Sequence, residues 1–405
     1  MKDRVGADKA KSRRSFLGGA AAAGTALAIG FPAPAILAET RAPIRVGLLN
    51  TFSGVISYSG THNWNATSLY FDKVGWKIAD RPVEFVKEDD QFNPQIGLQK
   101  VKKLLESDKV DLIVGPQASN VAMAVLNYAK ATKFFYLVSG AGTSAIAWER
   151  LPYLFRSSLS GWQLSSSIAD WCYNKLAKEM VLAADDFAGG HDVASEFRAA
   201  YVKLGGKVIK EIYPPLGTND FSAYLTDIKS INPQATYDFF IGSDAVRFVQ
   251  QYREQGIKAP ITGFAGIVDP TTFQGQGDAA LGVYCAIIYT DTLDNPVNKR
   301  FAAEFHDRFK EYPNMYSEYG YTAAQLLDEA GKTIDGDLAN KDKLAEAMKK
   351  VAFDAPRGPF RMDPETHTPI QNVYISEVKK VEGDRLANVA IYTYKDVRDP
   401  GVKMI

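Results

Sequence analysis

The feature that most constrains this chain is an alternation. Short apolar runs rich in β-branched residues are separated by longer amphipathic stretches. The strand-like runs are Ile44–Asn50, Val83–Glu88, Asp111–Gly115, Phe134–Ser139, Met180–Ala184, Val208–Tyr213, Tyr237–Gly242, Ile261–Phe264 and Val283–Tyr289. Between them lie helical patterns over Thr61–Val74, Pro94–Ser107, Val121–Lys130, Gln163–Ala177, Asp192–Leu204, Asp220–Ser230 and Ala245–Gln255. Strands that alternate with helices form a parallel sheet covered on both faces. Right-handed crossovers then bring every strand's carboxyl end to one rim. The expected fold class is α/β, with two doubly wound, Rossmann-like lobes.

Cap chemistry marks several boundaries. Asn93-Pro94 supplies an N-cap and an N1 proline, and Asn219-Asp220 and Ser243-Asp244 offer capping side chains. Gly205-Gly206 and Gly256 end helices. After about Thr290 the pattern changes to three helical stretches, Asn295–Tyr312, Ser317–Ile334 and Lys341–Val351, and then a hairpin-like end at Gln371–Val378 and Leu386–Tyr394. One alternating half runs to about Phe155 and a second to about Thr290, so a cleft between two lobes is expected.

The first 38 residues read as an address. Lys11-Ser12-Arg13-Arg14-Ser15-Phe16-Leu17 precedes a mild Gly/Ala-rich apolar stretch and the Pro/Ala-rich end Phe31–Ala38. That order is a secretory signal of twin-arginine type, with cleavage expected near Ala38. A membrane anchor needs about 20 strongly apolar residues, and this stretch is shorter. No cysteine adjoins the cut, so no lipid anchor is expected and the product is periplasmic.

The whole chain of 405 residues is balanced at 47 basic and 47 acidic residues. Residues 1–38 hold six basic and two acidic residues, leaving 41 against 45. Nothing in that balance calls for nucleic acid as a partner. Two cysteines, Cys172 and Cys285, exclude a disulfide scaffold. The four histidines are never spaced i, i+4, which argues against a metal centre. No cofactor is expected. No nucleophile elbow, zinc-binding helix or phosphate loop occurs. Gly275-Gln276-Gly277-Asp278-Ala279-Ala280 matches a dinucleotide fingerprint only formally, because no strand precedes it and no helix follows. Asp89-Asp90 and Asp185-Asp186 end strands, where solvated or capping acids are commoner than catalytic ones.

In doubly wound sheets ligands sit beyond the carboxyl ends of strands. Those loops are Thr51–Gly54, Gly115–Asn120, Ser139–Ser144, Asp185–Gly190, Gly242–Asp244 and Phe264–Gly266. They are rich in Gly, Ser and Thr, which with free helix N-terminal amides suit an anion. Tight βα turns alone would need similar residues, but six such loops on one rim favour a small-ligand site.

Ile44-Arg45-Val46-Gly47-Leu48-Leu49, Ser53-Gly54 and Tyr58-Ser59-Gly60 resemble the start of the leucine/isoleucine/valine-binding protein family. These are type I periplasmic solute-binding proteins of ABC importers. Asp89-Asp90, Gly115-Pro116, Ser139-Gly140-Ala141-Gly142-Thr143, Asp220–Ala223, Arg253–Gly256 and Tyr321–Ala324 follow in the family's order. The resemblance implies a three-crossing hinge, with 43–158 and 290–365 in one lobe and 159–289 and 366–405 in the other. It also implies a monomer that delivers its ligand to a membrane ABC permease.

It implies site residues as well. Ser119, Ala141, Gly142 and Thr143 occupy the places that hold a ligand carboxylate, and Tyr58 is the aromatic bordering the pocket. The second lobe departs from the pattern. The family's tyrosine falls near Phe187 and on Gly189, a second aromatic falls near Ser243, and the glutamate that pairs with an ammonium falls on Ala265. Burying an ammonium without its partner costs about 3–5 kcal/mol. The expected ligand is therefore a small carboxylate lacking an essential ammonium, an aromatic acid of benzoate or hydroxycinnamate type. Tyr58 and Phe187 would face its apolar body. The alternatives are a branched-chain amino acid, an amide, urea or short aliphatic acid, a role in sensing, and an enzyme using Asp185 or Asp186.

Overall fold

A computed structural model describes residues 41–403 except Val55; the expected signal and its cleavage point lie outside the described residues. The first alternating half runs β1 (Ile44–Asn50), α1 (Ser57–Lys73), β2 (Lys77–Ile78), β3 (Arg81–Asp89), α2 (Pro94–Glu106), β4 (Leu112–Val114), α3 (Ser119–Thr132), β5 (Tyr136–Val138), α4 (Ala145–Glu149) and β6 (Leu154–Arg156). The second runs α5 (Gly161–Trp171), β7 (Glu179–Ala184), α6 (Ala188–Lys203), β8 (Lys207–Ile212), α7 (Ser222–Ile231), β9 (Ala235–Phe239), α8 (Gly242–Glu254), β10 (Ile261–Phe264), α9 (Pro270–Gln276) and β11 (Tyr284–Ile287). Then come α10 (Pro296–Phe309), α11 (Met315–Thr333), α12 (Lys341–Met348), β12 (Ala352–Ala355), β13 (Gly358–Met362), β14 (Pro369–Lys380) and β15 (Leu386–Val397).

Two sheets result. The first has the order β2-β3-β1-β4-β5-β6, parallel except for the short β2. The second has the order β12-β13-β14-β11-β10-β9-β7-β8, with β15 on β14. Its β7 to β11 pair parallel with one another, and β12 to β15 are joined by antiparallel pairings. The central strands are buried along nearly their whole length, for example Leu112–Val114 and Met180–Ala184. That explains why they read as continuous apolar runs rather than as alternating ones.

The cap at Asn93 forms as expected: its Oδ1 accepts from the amides of Gln95 and Ile96. Gly205 and Gly256 follow their helices with φ of +96° and +69°. Two caps differ. The side chain of Asp220 accepts from Ser222 N, but the N-cap residue of α7 is Phe221. Helix α8 begins at Gly242, which leaves Ser243 and Asp244 inside its first turn. Gly277 terminates α9 with φ +54°, so the Gly275–Ala280 segment is a helix end and a turn.

Helices α10, α11 and α12 return to the first sheet, where α11 packs along α1. Strands β12 and β13 do not stay with them, although the range 290–365 was expected in the first lobe. Both are hydrogen-bonded into the second sheet through β14. Lateral pairing decides this, and nothing in the local pattern of 352–362 announces it.

Candidate functional site

The strand ends of both sheets open onto one partly open cavity of about 100 Å³. On the side of the first sheet, the turn after β4 delivers Gln117, Ala118 and Ser119 to the lining, and the turn after β5 delivers Gly140, Gly142 and Thr143. Ser119 is the first residue of α3. That helix has no side-chain N-cap, so the amides of Ser119 and Asn120 remain free beside the Ser119 hydroxyl. A helix start with free amides attracts negative charge.

The second turn is propped from behind by Arg156, which is fully buried. Its guanidinium donates to Leu159 O at 2.7 Å, to Gly142 O at 3.3 Å and to Thr143 O. Desolvation lowers its pKa to about 10, so it keeps its charge at neutral pH. Spending the carbonyls of Gly142 and Thr143 on Arg156 leaves the turn's donors for the cavity. Among the described residues Thr143 Oγ1 is engaged only by Met123 Sδ, at 3.8 Å.

The opposite wall is apolar. Phe187, Phe239 and Phe264 form a run of rings with centroid separations of 6.2 and 5.5 Å. Ile241 and Ala265 complete this wall. Phe92, from the first half, meets Phe187 at 6.2 Å and closes one side. Tyr316 and Tyr319, both from α11, close the other. Burial holds the phenols of Tyr58, Tyr316 and Tyr319 above their usual range, so all three stay neutral.

Of the nine residues singled out from the sequence, Ser119, Gly142, Thr143, Phe187, Gly189 and Ala265 line this space. Three do not. Tyr58 packs edge-on against Tyr316 at 5.6 Å, and the α11 tyrosine takes the lining position. Ala141 is fully buried and spends its amide on Pro116 O at 3.0 Å, so that amide is not available to a ligand. Ser243 is turned to its own helix, with Oγ donating to Asp244 Oδ1 at 3.4 Å and accepting from Arg247 at 3.2 Å. A Cβ at Gly189 would lie 2.6 Å from the Phe187 ring. The phenylalanine fills the space in which a side chain at 189 would sit.

The acids weighed from the sequence are committed elsewhere. Asp186 is exposed and contacts His191 at 2.8 Å. Asp185 accepts from Ile241 N at 3.1 Å, and burial, then the nearby Asp244, raise its pKa to about 8. Asp244 accepts from Gly217 N at 2.6 Å and pairs with Arg247. Asp89 and Asp90 accept from the amides of Phe52 and Phe92, which fixes the loops around them. Cys172 and Cys285 are buried free thiols.

The carboxyls that do reach the lining are Asp192 and Glu196 of α6. Asp192 is exposed at the rim, whereas Glu196 is 9% exposed. Burial raises the Glu196 pKa to about 8, against the lowering effect of a hydrogen bond from Ser144. Sequence reasoning passed over both. A signal was present: positions 189, 192, 193 and 196 share one face of a helix, and Gly189 was already placed at the pocket.

Residues 43–384 match the model of a family described as periplasmic binding protein. A relative from Brucella melitensis biotype 1, called Leu/Ile/Val-binding protein homolog 6, is 30% identical over 89% of this chain and 94% of its own length. Among solved structures, an ABC transporter substrate-binding protein from Sphaerobacter thermophilus superposes with a TM-score of 0.84 at 33% identity, covering 89% of this chain and all of the other. A solute-binding protein of an ABC transporter from Rhodopseudomonas palustris BisB5, in complex with 3,4-dihydroxy benzoic acid, superposes with a TM-score of 0.83 at 32% identity, covering 89% of this chain and 99% of the other.

Proposed function

The chain belongs to the periplasmic binding protein family, and from that premise we propose that it captures a small aromatic carboxylate between two lobes for an ABC importer. The first lobe carries β1 to β6 with α10 to α12, and the second carries β7 to β15. The observation that carries this reading is the asymmetry of the cavity. One wall offers Ser119, Thr143 and uncommitted amides, while the facing wall is built from Phe187, Phe239, Phe264, Ile241 and Ala265. A planar ring with one carboxylate satisfies both walls. A relative of similar fold is bound to a dihydroxylated benzoic acid.

Ser119, Gly142 and Thr143 hold the carboxylate. Phe187, Tyr316 and Tyr319 take the flat faces of the ring, and Ala265 leaves space where an acidic partner for an ammonium would stand. The chain crosses between the lobes three times, and closure over the ligand is a hinge motion of the kind known for periplasmic binding proteins. The closed monomer then docks on its permease. In this reading the protein performs no reaction on its ligand; Asp185, which accepts from Ile241 N, and Asp186, which contacts His191, stand outside the cavity lining. Export follows the signal in residues 1–38, with cleavage near Ala38 and no lipid anchor; N-terminal sequencing of the periplasmic protein tests this.

A second reading keeps one specific support. Glu196 and Asp192 lie in the lining, and the Brucella relative carries a branched-chain amino-acid name. A thermal-shift panel of benzoate, hydroxybenzoates, hydroxycinnamates, leucine and short aliphatic acids separates the two. A ligand at 100 times its Kd stabilises by about 2.7 kcal/mol, which is readily detected. Stabilisation by the aromatic acids and not by leucine is expected. Micromolar leucine binding with no response to aromatic acids ends the proposal.

A further inference from the structure

Glu196 is hard to reconcile with a site that grips an anion. Its carboxyl lies at the gripping end of the cavity, not at the far end of the ring. Ser144, its hydrogen-bond partner, adjoins Thr143 in sequence. Gly161 N donates to Gly142 O at 2.6 Å, and a methyl group at position 161 would overlap Glu196 Oε2. The helix start of α5 is thus shaped to admit this carboxyl beside the turn that carries Gly142 and Thr143. The side chain is nine-tenths buried and makes no ion pair with a described residue. A carboxylate there would repel an incoming carboxylate at close range with little water to screen it.

We propose that Glu196 is a specificity-determining residue that enters the complex as a neutral carboxylic acid and donates its O–H to the ligand's carboxylate. The inference rests on the aromatic-acid reading above. The proton balance is simple. When Glu196 is already protonated, the anion binds with no proton exchanged. When it is ionised, one proton is taken up from solvent for each anion bound, and it resides on Glu196 in the complex. Two carboxyl groups that share a site cannot both be charged, and the one with the higher affinity for protons keeps the hydrogen.

The groups facing Glu196 agree with this. Asp192 on the same helix and Asp399 of the C-terminal segment favour the protonated form. Tyr237 of β9 is neutral and its burial keeps it so. Arg156 of β6 is the one cation that opposes, and its hydrogen bonds go to backbone carbonyls. His191 and, less strongly, Lys403 act on Asp192, at the rim.

The test is calorimetric titration of benzoate and cinnamate into the exported protein and its Glu196→Gln variant between pH 7 and 9.5. Both probes are fully ionised throughout. For the unaltered protein, affinity is expected to be flat near pH 7 and to fall by about tenfold per pH unit above pH 8. Titrations in buffers of different ionisation enthalpy should show about one proton taken up per ligand at pH 9. Glu196→Gln keeps a hydrogen-bond donor without a titrating group, so its affinity should not vary over this range. A flat profile with no proton uptake in the unaltered protein overturns the inference, even if the variant fails to fold. An equally steep profile in Glu196→Gln overturns it as well. In both cases the aromatic-acid reading stands. If neither protein binds any aromatic acid at pH 7, that reading falls and takes this inference with it. Leucine binding with proton release would assign Glu196 to an ammonium instead and overturn both.

Discussion

Ser119 and Thr143 keep free hydrogen-bonding capacity because Arg156 and the α3 backbone meet other demands around them. Hydrogen bonds to a charged group contribute about 1.5–3 kcal/mol each. Ser119→Ala and Thr143→Ala should therefore each weaken the tightest aromatic acid by about tenfold to a hundredfold, while the unliganded Tm stays nearly constant. Calorimetry with a parallel thermal melt checks this, and a collapsed melt would mark the side chain as structural. Tyr58→Phe should change affinity little, because Tyr316 stands between it and the ligand. Asp185 gives a pH prediction. Its folded pKa lies above the usual carboxylate value, so the folded state binds more protons than the unfolded chain between about pH 4 and 8. Stability must fall as pH rises through that window. Asp185→Asn should remove part of the fall, and denaturant unfolding at pH 5 and pH 8 would show it.

At the scale of elements, helix starts place the site. The N-cap of α11 is Asn314, whose Oδ1 accepts from Ser317 N at 3.0 Å while its amide donates to Asp269 Oδ1 at 3.3 Å. This cap fixes the start of the helix whose first two turns carry Tyr316 and Tyr319 to the lining. Asn314→Ala should cost about 1 kcal/mol of stability. It should also weaken ligand binding, because the aromatic wall frays with its first turn. A lower Tm with unchanged affinity would show that the tyrosines are held by packing alone. The elements themselves were largely readable. Helices α2, α6 and α10 follow an apolar period and carry chemically marked ends, and the buried strands show as β-branched runs. Strand β6 and the pair β12–β13 were not readable. The first is Leu154-Phe155-Arg156, two apolar residues ended by a charge, and the others carry two to three apolar residues among charges and prolines.

Across the whole molecule, the segments that pass between the sheets are tied by one buried network. Glu318 of α11 and Arg357, in the turn between β12 and β13, form an ion pair with both side chains fully buried. Arg357 also donates to Ser157 O at 3.0 Å and Gln371 Oε1 at 2.6 Å, and Gln371 donates to Gln163 Oε1 at 2.9 Å. Removing one member of a buried pair strands a charge and costs about 3–5 kcal/mol. Glu318→Gln or Arg357→Met alone should show that loss in denaturant unfolding. The double variant Glu318→Leu/Arg357→Met should recover most of it, since the pair itself is a weak source of stability. Failure of the double variant to recover would mean that the hydrogen bonds of Arg357 to Ser157 and Gln371 carry the hinge region.

Local chemistry in the chain determined the strand and helix alternation, most caps, and which loops gather on one rim, because period and cap residues act over a few positions. Within those loops it was the family resemblance, not local chemistry, that singled out Ser119, Gly142, Thr143, Phe187, Gly189 and Ala265, all of which line the cavity. Tertiary structure alone decided the rest. Tyr316 displaced Tyr58 from the lining because α11, more than 240 residues further along, packs against α1. Phe187 filled the space at Gly189, and β12 and β13 joined the second sheet. Glu196 became a buried acid beside Gly142 and Thr143 in the cavity lining because helix α6 faces the turn after β5. Contacts between distant segments set desolvation, and desolvation sets which groups carry a charge.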